Sequence, residues 1–228
     1  MPNNKSSLFI LGAGASVDSG LPTYRGINGL YNNSFDYYEQ MLTKTTNSNK
    51  LWEILEPLFN QIYNTKDIGE TYKLLETLIN NKYPNSMIAT QNIDGFAKNI
   101  CVPLVELHGN YSKIKCLDCD IFIDYVPGHI CNQCGKHNTI PNIVLFEDNI
   151  DVNYITQIYN FMKLNKPKYV FIIGTTLQFK YLQDIICKAK MYGSECIHIN
   201  PDKNYICDSD DILICDTSSN ALNFLINK

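Results

Sequence analysis

Nine cysteines occur among 228 residues, and four of them form Cys116-x-x-Cys119 and Cys131-x-x-Cys134, with eleven residues between the pairs. Two such pairs can bring four thiolates around one tetrahedral ion, and Zn²⁺ is the usual occupant of that donor set. Four sulfurs close the coordination shell, so nearby His129 and His137 are not needed as ligands and the site reads as structural. The odd total argues against a complete disulfide framework and fits a reducing compartment. Cys101, Cys187, Cys196, Cys207 and Cys215 stand singly in or beside apolar runs and read as small core residues.

Three further residues have side chains suited to chemistry. His108 follows the apolar pair Val105 and Leu107, where an imidazole of near-neutral pKa suits a general base. Read alone, a loop histidine serves as readily as a structural hydrogen-bonding group. Asn92 and Asp94 share that ambiguity, since loop Asn and Asp often only fix a turn or cap a helix. Gly12-Ala13-Gly14 ends the apolar run Leu8–Leu11. Such a turn can bring the backbone close to a ligand and aim the free N–H groups of a following helix at an anion. The spacing of Gly12, Gly14 and Gly20 is not G-x-G-x-x-G, so a plain strand-turn-helix stays open.

The elements that must position these residues alternate in type. Leu8–Leu11, Met87–Thr90, Val105–Leu107, Tyr169–Ile173, Cys196–Ile199 and Ile212–Ile214 read as strands. Helical spacing marks Leu51–Tyr63, interrupted by Pro57, and then Thr71–Ile79, Val152–Met162, Leu182–Ala189 and Ala221–Ile226. Thr43 to Lys50 reads as a polar surface loop. The pattern predicts an α/β fold, a Rossmann-like doubly wound parallel sheet with a small zinc-binding lobe inserted, whose ligands bind at the carboxyl ends of the strands. One domain is expected across 1–228, with the zinc module at about 111–140. A net charge of −4 indicates no nucleic-acid surface. No run of eighteen apolar residues and no signal-like start are found, so a cytoplasmic protein with no membrane partner is expected.

Taken in order, these motifs resemble the sirtuin family over essentially the whole chain. Gly12 to Ser16 with Ser19 to Arg25 is similar to the family's first NAD motif, Thr90 to Gly95 to its nicotinamide-pocket motif, and Leu107-His108-Gly109 to its catalytic histidine. Pro141 to Phe146 resembles its substrate loop, Gly174 to Leu177 and Ile199-Asn200 its ribose motifs, and the four cysteines its zinc module.

The resemblance implies an NAD-dependent protein-lysine deacylase, most simply a deacetylase, acting on an acyl-lysine protein or peptide with NAD as co-substrate and structural Zn²⁺. In the family the acyl oxygen attacks the nicotinamide ribose, nicotinamide leaves, and the histidine deprotonates a ribose hydroxyl that closes onto the imidate. Carried over, His108 is the base, Asn92 and Asp94 shape the nicotinamide and water site, and Gln91 contacts the ribose. Ser16 and Arg25 hold the phosphate region, with Thr175 and Asn200 on the adenosine side. Gly12, Ala13, Gly14, Pro22, Tyr24, Ile93, Gly174, Thr176 and Cys215 complete the cofactor contacts, and Ile143, Val144, Phe146 and Glu147 meet the peptide.

Several positions depart from the family pattern. Glu147 stands where glycine is usual, Tyr181 where proline is frequent, Ile140 where arginine is common and Tyr24 where phenylalanine is common. Leu55 and Leu58 stand near the place where members that read acidic acyl groups carry Tyr and Arg, which favours an acetyl or longer apolar group here. An NAD glycohydrolase and a non-catalytic NAD-sensing protein are the competing readings.

Overall fold

Six consecutive residues, Ser6–Leu11, are all buried and form strand β1. A strand covered on both faces needs apolar side chains pointing both ways, which the run Leu8–Leu11 supplies after the two small serines. The computed structural model describes residues 6–23, 29, 40–43 and 46–228. In it β1 lies between β2 (Asn85–Thr90) and β7 (Tyr169–Ile173), parallel to both, with Leu8 opposite Met87 on one side and Val170 on the other. β3 (Leu104–Glu106), β8 (Glu195–Ile199) and β9 (Ile212–Ile214) complete a parallel sheet of order β3-β2-β1-β7-β8-β9.

Alternation along β1 divides the core. Phe9 and Leu11 face one layer, where Phe9 stacks on Phe171 at 4.8 Å and meets Leu75 and Leu78 of the helix α2 (Gly69–Lys82) and Ala221 and Leu222 of α5 (Ser218–Asn227). Leu8 and Ile10 face the other, against Ile158 and Met162 of α3 (Val152–Asn165) and Ile185 of α4 (Lys180–Met191). Helices on both faces make the sheet doubly wound. Among the described residues no helix is long and apolar enough to cross a membrane.

Two expectations about the segment before α2 are corrected. Pro57 does not interrupt its helix: α1 runs from Ser48 to Asn64 with Pro57 inside. Pro57 is exposed, so the carbonyl one turn back that loses its partner faces solvent. The polar stretch is shorter than Thr43 to Lys50, because Asn47 caps α1 through a 3.0 Å bond from the Lys50 N–H and Thr43 is buried in a bridge to Phe146.

The inserted lobe is a three-stranded antiparallel sheet, order β5-β4-β6, made of β4 (Gly109–Cys116), β5 (Ile121–Asp124) and β6 (Thr139–Ile143). Its core is shared with α1, where Leu51, Trp52, Leu55 and Phe59 pack against Ile114, Ile123 and Tyr125. Trp52 donates its indole N–H to the Thr139 carbonyl at 2.7 Å and stacks flat on His129 at 4.5 Å. Leu55 is thus a core residue, which accounts for an aliphatic side chain there without reference to an acyl group.

Candidate active site

The residues singled out above follow the carboxyl ends of the parallel strands: Gly12 after β1, Gln91 after β2, His108 just beyond β3, Gly174 after β7, Asn200 after β8 and Cys215 after β9. Two of these loops interlock. The Gly14 N–H donates to the Gly174 carbonyl at 2.9 Å, and a Cβ built on Gly14 would stand 2.6 Å from Gly174 Cα. A Cβ on Gly12 would stand 2.5 Å from Thr175 Cβ, so both glycines are required by loop-on-loop packing.

The anion cradle expected from the sequence is correspondingly altered. Ala13–Ser19 is a seven-residue 3₁₀ helix ended by left-handed Gly20, and the Gly14 amide is already spent. Ala13 lies in the first turn of that helix, Pro22 follows it beside Thr23 and Gln61, and Gln61 holds the Gly20 carbonyl at 2.8 Å. Tyr24 and Arg25 lie outside the described residues.

Beside this interlock sits a buried polar cluster. Ser16 donates to Asp94 Oδ2 at 2.6 Å, and the Asn92 amide reaches the Gly12 carbonyl at 3.0 Å and Ser16 Oγ at 3.1 Å. Tyr72, from α2, closes the cluster with its hydroxyl 2.9 Å from Ser16 Oγ, 3.1 Å from the Asn92 amide and 3.3 Å from Asp94. Burial raises the Asp94 pKa, against the bonds from Ser16, the Phe96 N–H and Tyr72 that lower it. Burial also raises Tyr72, next to Asp94, so its phenol stays protonated. A carboxylate held by neutral donors alone, with Asn92 and Asp94 both under a tenth exposed, can orient a polar uncharged group such as a carboxamide. Sequence reasoning overlooked Tyr72, because its spacing to Leu75 and Ile79 makes it part of an apolar helical stripe.

On the adenosine side proposed above, Thr175 is a junction. Its hydroxyl accepts from the Gln91 amide at 3.0 Å, and its carbonyl receives the Asn200 amide at 3.5 Å. Thr176 is exposed beside it, Ile93 is partly buried with its carbonyl receiving the Tyr111 N–H, and Cys215 is exposed with its sulfur 3.8 Å from the Pro201 carbonyl.

His108 is half-buried. Its Nε2 lies 2.7 Å from the Tyr181 hydroxyl, and Phe179 and Tyr181 approach the ring edge-on at 5.7 and 6.2 Å. Desolvation by these neighbours pushes its pKa down to about 4, against a backbone hydrogen bond to Gln91 that raises it. The imidazole is therefore neutral at pH 7, the form that accepts a proton.

The His108 carbonyl takes the N–H of Val144 at 2.9 Å, tying the base to the segment that leaves β6. Gly109, at φ 79°, has no room for a Cβ against the Asn142 carbonyl. The N–H of Leu145 goes to Asp148 and that of Phe146 to the Leu42 carbonyl, so three successive amides after Ile143 are committed within the chain. Glu147 is exposed with φ 66°: the backbone keeps the left-handed conformation that glycine adopts freely, though the residue is not glycine.

The four lobe cysteines converge, with their sulfurs all within 4.8 Å of one another. A hydrogen bond with Cys134 pushes the Cys119 thiol up to about 12, while the Cys134 backbone draws Cys131 down to about 7. Four clustered sulfurs with one thiol near-neutral fit a tetrahedral Zn²⁺ whose binding displaces protons. Of the five remaining cysteines only Cys196 is buried; Cys207 is partly exposed, and Cys101, Cys187 and Cys215 are exposed. The expectation of five core cysteines is corrected because the others sit at the ends of apolar runs or on the outer face of α4, where the run's burial does not extend.

A doubly wound sheet with a four-cysteine lobe, and with a histidine and a Ser-Asn-Asp-Tyr cluster at its strand ends, defines a class of protein. Residues 12–180 match the Sir2 family, and the chain belongs to it. An NAD-dependent protein deacylase of Aquifex aeolicus is 28% identical to this chain over 231 residues, covering 96% of it and 93% of the relative. An NAD-dependent protein deacetylase of Clostridium perfringens is 28% identical, covering 99% and 95%. Among solved structures, a Sir2 homologue in complex with NAD superposes with a TM-score of 0.79 at 20% identity, over 98% of this chain and 88% of that one.

Proposed function

We propose that this protein is an NAD-dependent protein-lysine deacylase, and most simply a deacetylase, with His108 as general base. The observation that carries the reading is the neutral, half-buried imidazole of His108 standing on the same strand-end surface as the Ser16–Asn92–Asp94 cluster, in a chain whose relatives are named as deacylases and deacetylases.

NAD, as substrate, supplies a sugar whose bond to nicotinamide is cleaved. Ser16, Asn92, Asp94 and Ile93 would receive the nicotinamide end, where Asp94 accepts hydrogen bonds and Asn92, pinned to the Gly12 carbonyl, cannot rotate away. Gln91 and Thr175, joined at 3.0 Å, and Asn200 beside them would meet the hydroxyl groups further along. Gly12 to Ser16, Pro22 and Gly174 to Thr176 would wall the phosphate region, together with Tyr24 and Arg25. His108 then withdraws a proton from a sugar hydroxyl, a contribution of about 10²–10⁴ in rate for a placed base. The segment Ile143 to Glu147, tied to His108 through Val144, would hold the acyl-lysine peptide. Cys116, Cys119, Cys131 and Cys134 would hold a structural Zn²⁺.

Mass spectrometry of NAD products, with and without acetyl-lysine peptides, tests this reading. Nicotinamide and acyl-ADP-ribose should form only with peptide, and acyl-ADP-ribose should be lost in His108→Ala. Nicotinamide release that ignores the peptide would make the protein a glycohydrolase, and no turnover of NAD with any acyl-lysine peptide would leave only a binding role.

A further inference from the structure

The ring of His108 has two polar neighbours, the Gln91 backbone, which favours its protonated form, and the Tyr181 hydroxyl, which lies 2.7 Å from Nε2. In the Nδ1–H tautomer of the neutral ring, Nε2 carries the lone pair and the phenol is the donor. Any proton that reaches Nε2 must therefore come by way of Tyr181 or take its place.

Among the described residues the hydroxyl has no second role in the fold. Tyr181 is the second residue of α4, its ring stacks on Phe179 at 5.6 Å and 19°, and the edge of the same ring meets His108. A phenylalanine would make all of these contacts. Among the described residues the hydroxyl makes no other hydrogen bond than the one to His108. Burial raises the pKa of the phenol, so it is a donor at neutral pH.

Resting on the deacylase reading above, we propose that Tyr181 is the proton-carrying partner of His108, the group through which a sugar hydroxyl passes its proton to the imidazole. The sugar O–H bond breaks and its proton joins Tyr181 Oη while the proton of Tyr181 moves to Nε2. The electron pair stays on the sugar oxygen, which forms the bond to the imidate carbon as the C=N π pair of the imidate moves onto its nitrogen; the imidazole becomes imidazolium and Tyr181 ends neutral. Phe179, stacked on Tyr181, sets the angle at which the phenol meets Nε2.

The test compares wild type, Tyr181→Phe, His108→Ala and the double variant with NAD and an acetyl-lysine peptide. Two readouts are taken: exchange of labelled nicotinamide into NAD, which precedes the base's step, and formation of acyl-ADP-ribose. Tyr181→Phe should slow acyl-ADP-ribose formation about 10²-fold, in the range of a placed base, with exchange and the KM for peptide within about twofold. The double variant should be no slower than His108→Ala, since the two residues act as one unit. Wild-type product formation in Tyr181→Phe overturns the proposal, as does a faster rate, or a fall in both readouts together, which would mark a structural role. Nitrogen-15 NMR of the histidine rings decides the matter without turnover. The Nδ1–H tautomer with an Nε2 signal that moves in Tyr181→Phe supports the proposal, and a proton on Nε2 ends it. Were wild type to release no nicotinamide with any peptide, the deacylase reading would fall while the NMR result still judged Tyr181.

Discussion

His108 links function to stability through a single pKa. Its value in the folded chain, about 4, lies below the ordinary 6.5, so the unfolded chain takes up a proton before the folded one as pH falls. The stability contributed by keeping this ring neutral is present above pH 6.5 and is lost as pH falls toward 4, a loss of about 3 kcal/mol at 1.36 kcal/mol per unit. Replacing the ring with an amide removes that dependence. His108→Asn should therefore lose about 3 kcal/mol less than wild type between pH 6.5 and 4 in urea denaturation, and equal acid sensitivity would show that the ring is not desolvated. Asp94 contributes with the opposite sign, because burial raises its pKa and its ionisation costs stability as pH rises. Glu147 shows another tension at this scale: a side chain sits on a left-handed backbone at the end of the proposed peptide-binding segment, a conformation costing about 1–2 kcal/mol outside glycine.

Among the elements, the contact between the loops after β1 and β7 holds the site's two halves together. Gly174 has φ 63°, and a Cβ there would lie 2.5 Å from Gly14 backbone atoms. Gly174→Ala should destabilise the chain by about 2–4 kcal/mol through strain and overpacking, and should weaken NAD binding measured by calorimetry; a variant of wild-type stability would refute the interlock. Much of this element structure was legible beforehand. Tyr169–Ile173 is read to the residue because a buried parallel strand is a short apolar run closed by a glycine turn, and that pattern is local. The four cysteines were legible for the same reason. Tyr72 was not, since what separates it from a core residue is a hydroxyl meeting Ser16 and Asp94, which only the docking of α2 reveals. The flexibility of Gly12 and Gly14 shows in their sequence, while their close packing on Gly174 and Thr175, far away along the chain, does not. Pro57 misled because a proline's cost depends on whether the orphaned carbonyl reaches water, which is a fact of burial.

At the scale of the molecule, the lobe and the sheet domain meet through α1, and the chain's single tryptophan stands at that junction. Trp52 is 2% exposed, stacked on His129 in the loop that carries Cys131 and bonded to β6. Removal of Zn²⁺ by a chelator should loosen that loop, shift Trp52 emission to longer wavelength and lower the thermal midpoint, and added Zn²⁺ should reverse both; Cys119→Ser should behave like the chelated protein. Unchanged emission would mean that the lobe stands without metal. The strand order has a separate consequence, for synthesis. β1 is made first, yet one of its edges waits for β7: Ser7 pairs with Tyr169 and Leu11 with Ile173. Until the ribosome has extended past those residues, this fully buried strand can be only half paired, with β2 as its one partner. Pairings so distant along a chain are slow to form and leave edges open meanwhile. The nascent chain should thus depend on chaperones up to the point where β7 emerges, and shortened products ending before residue 169 should aggregate rather than accumulate as a folded half.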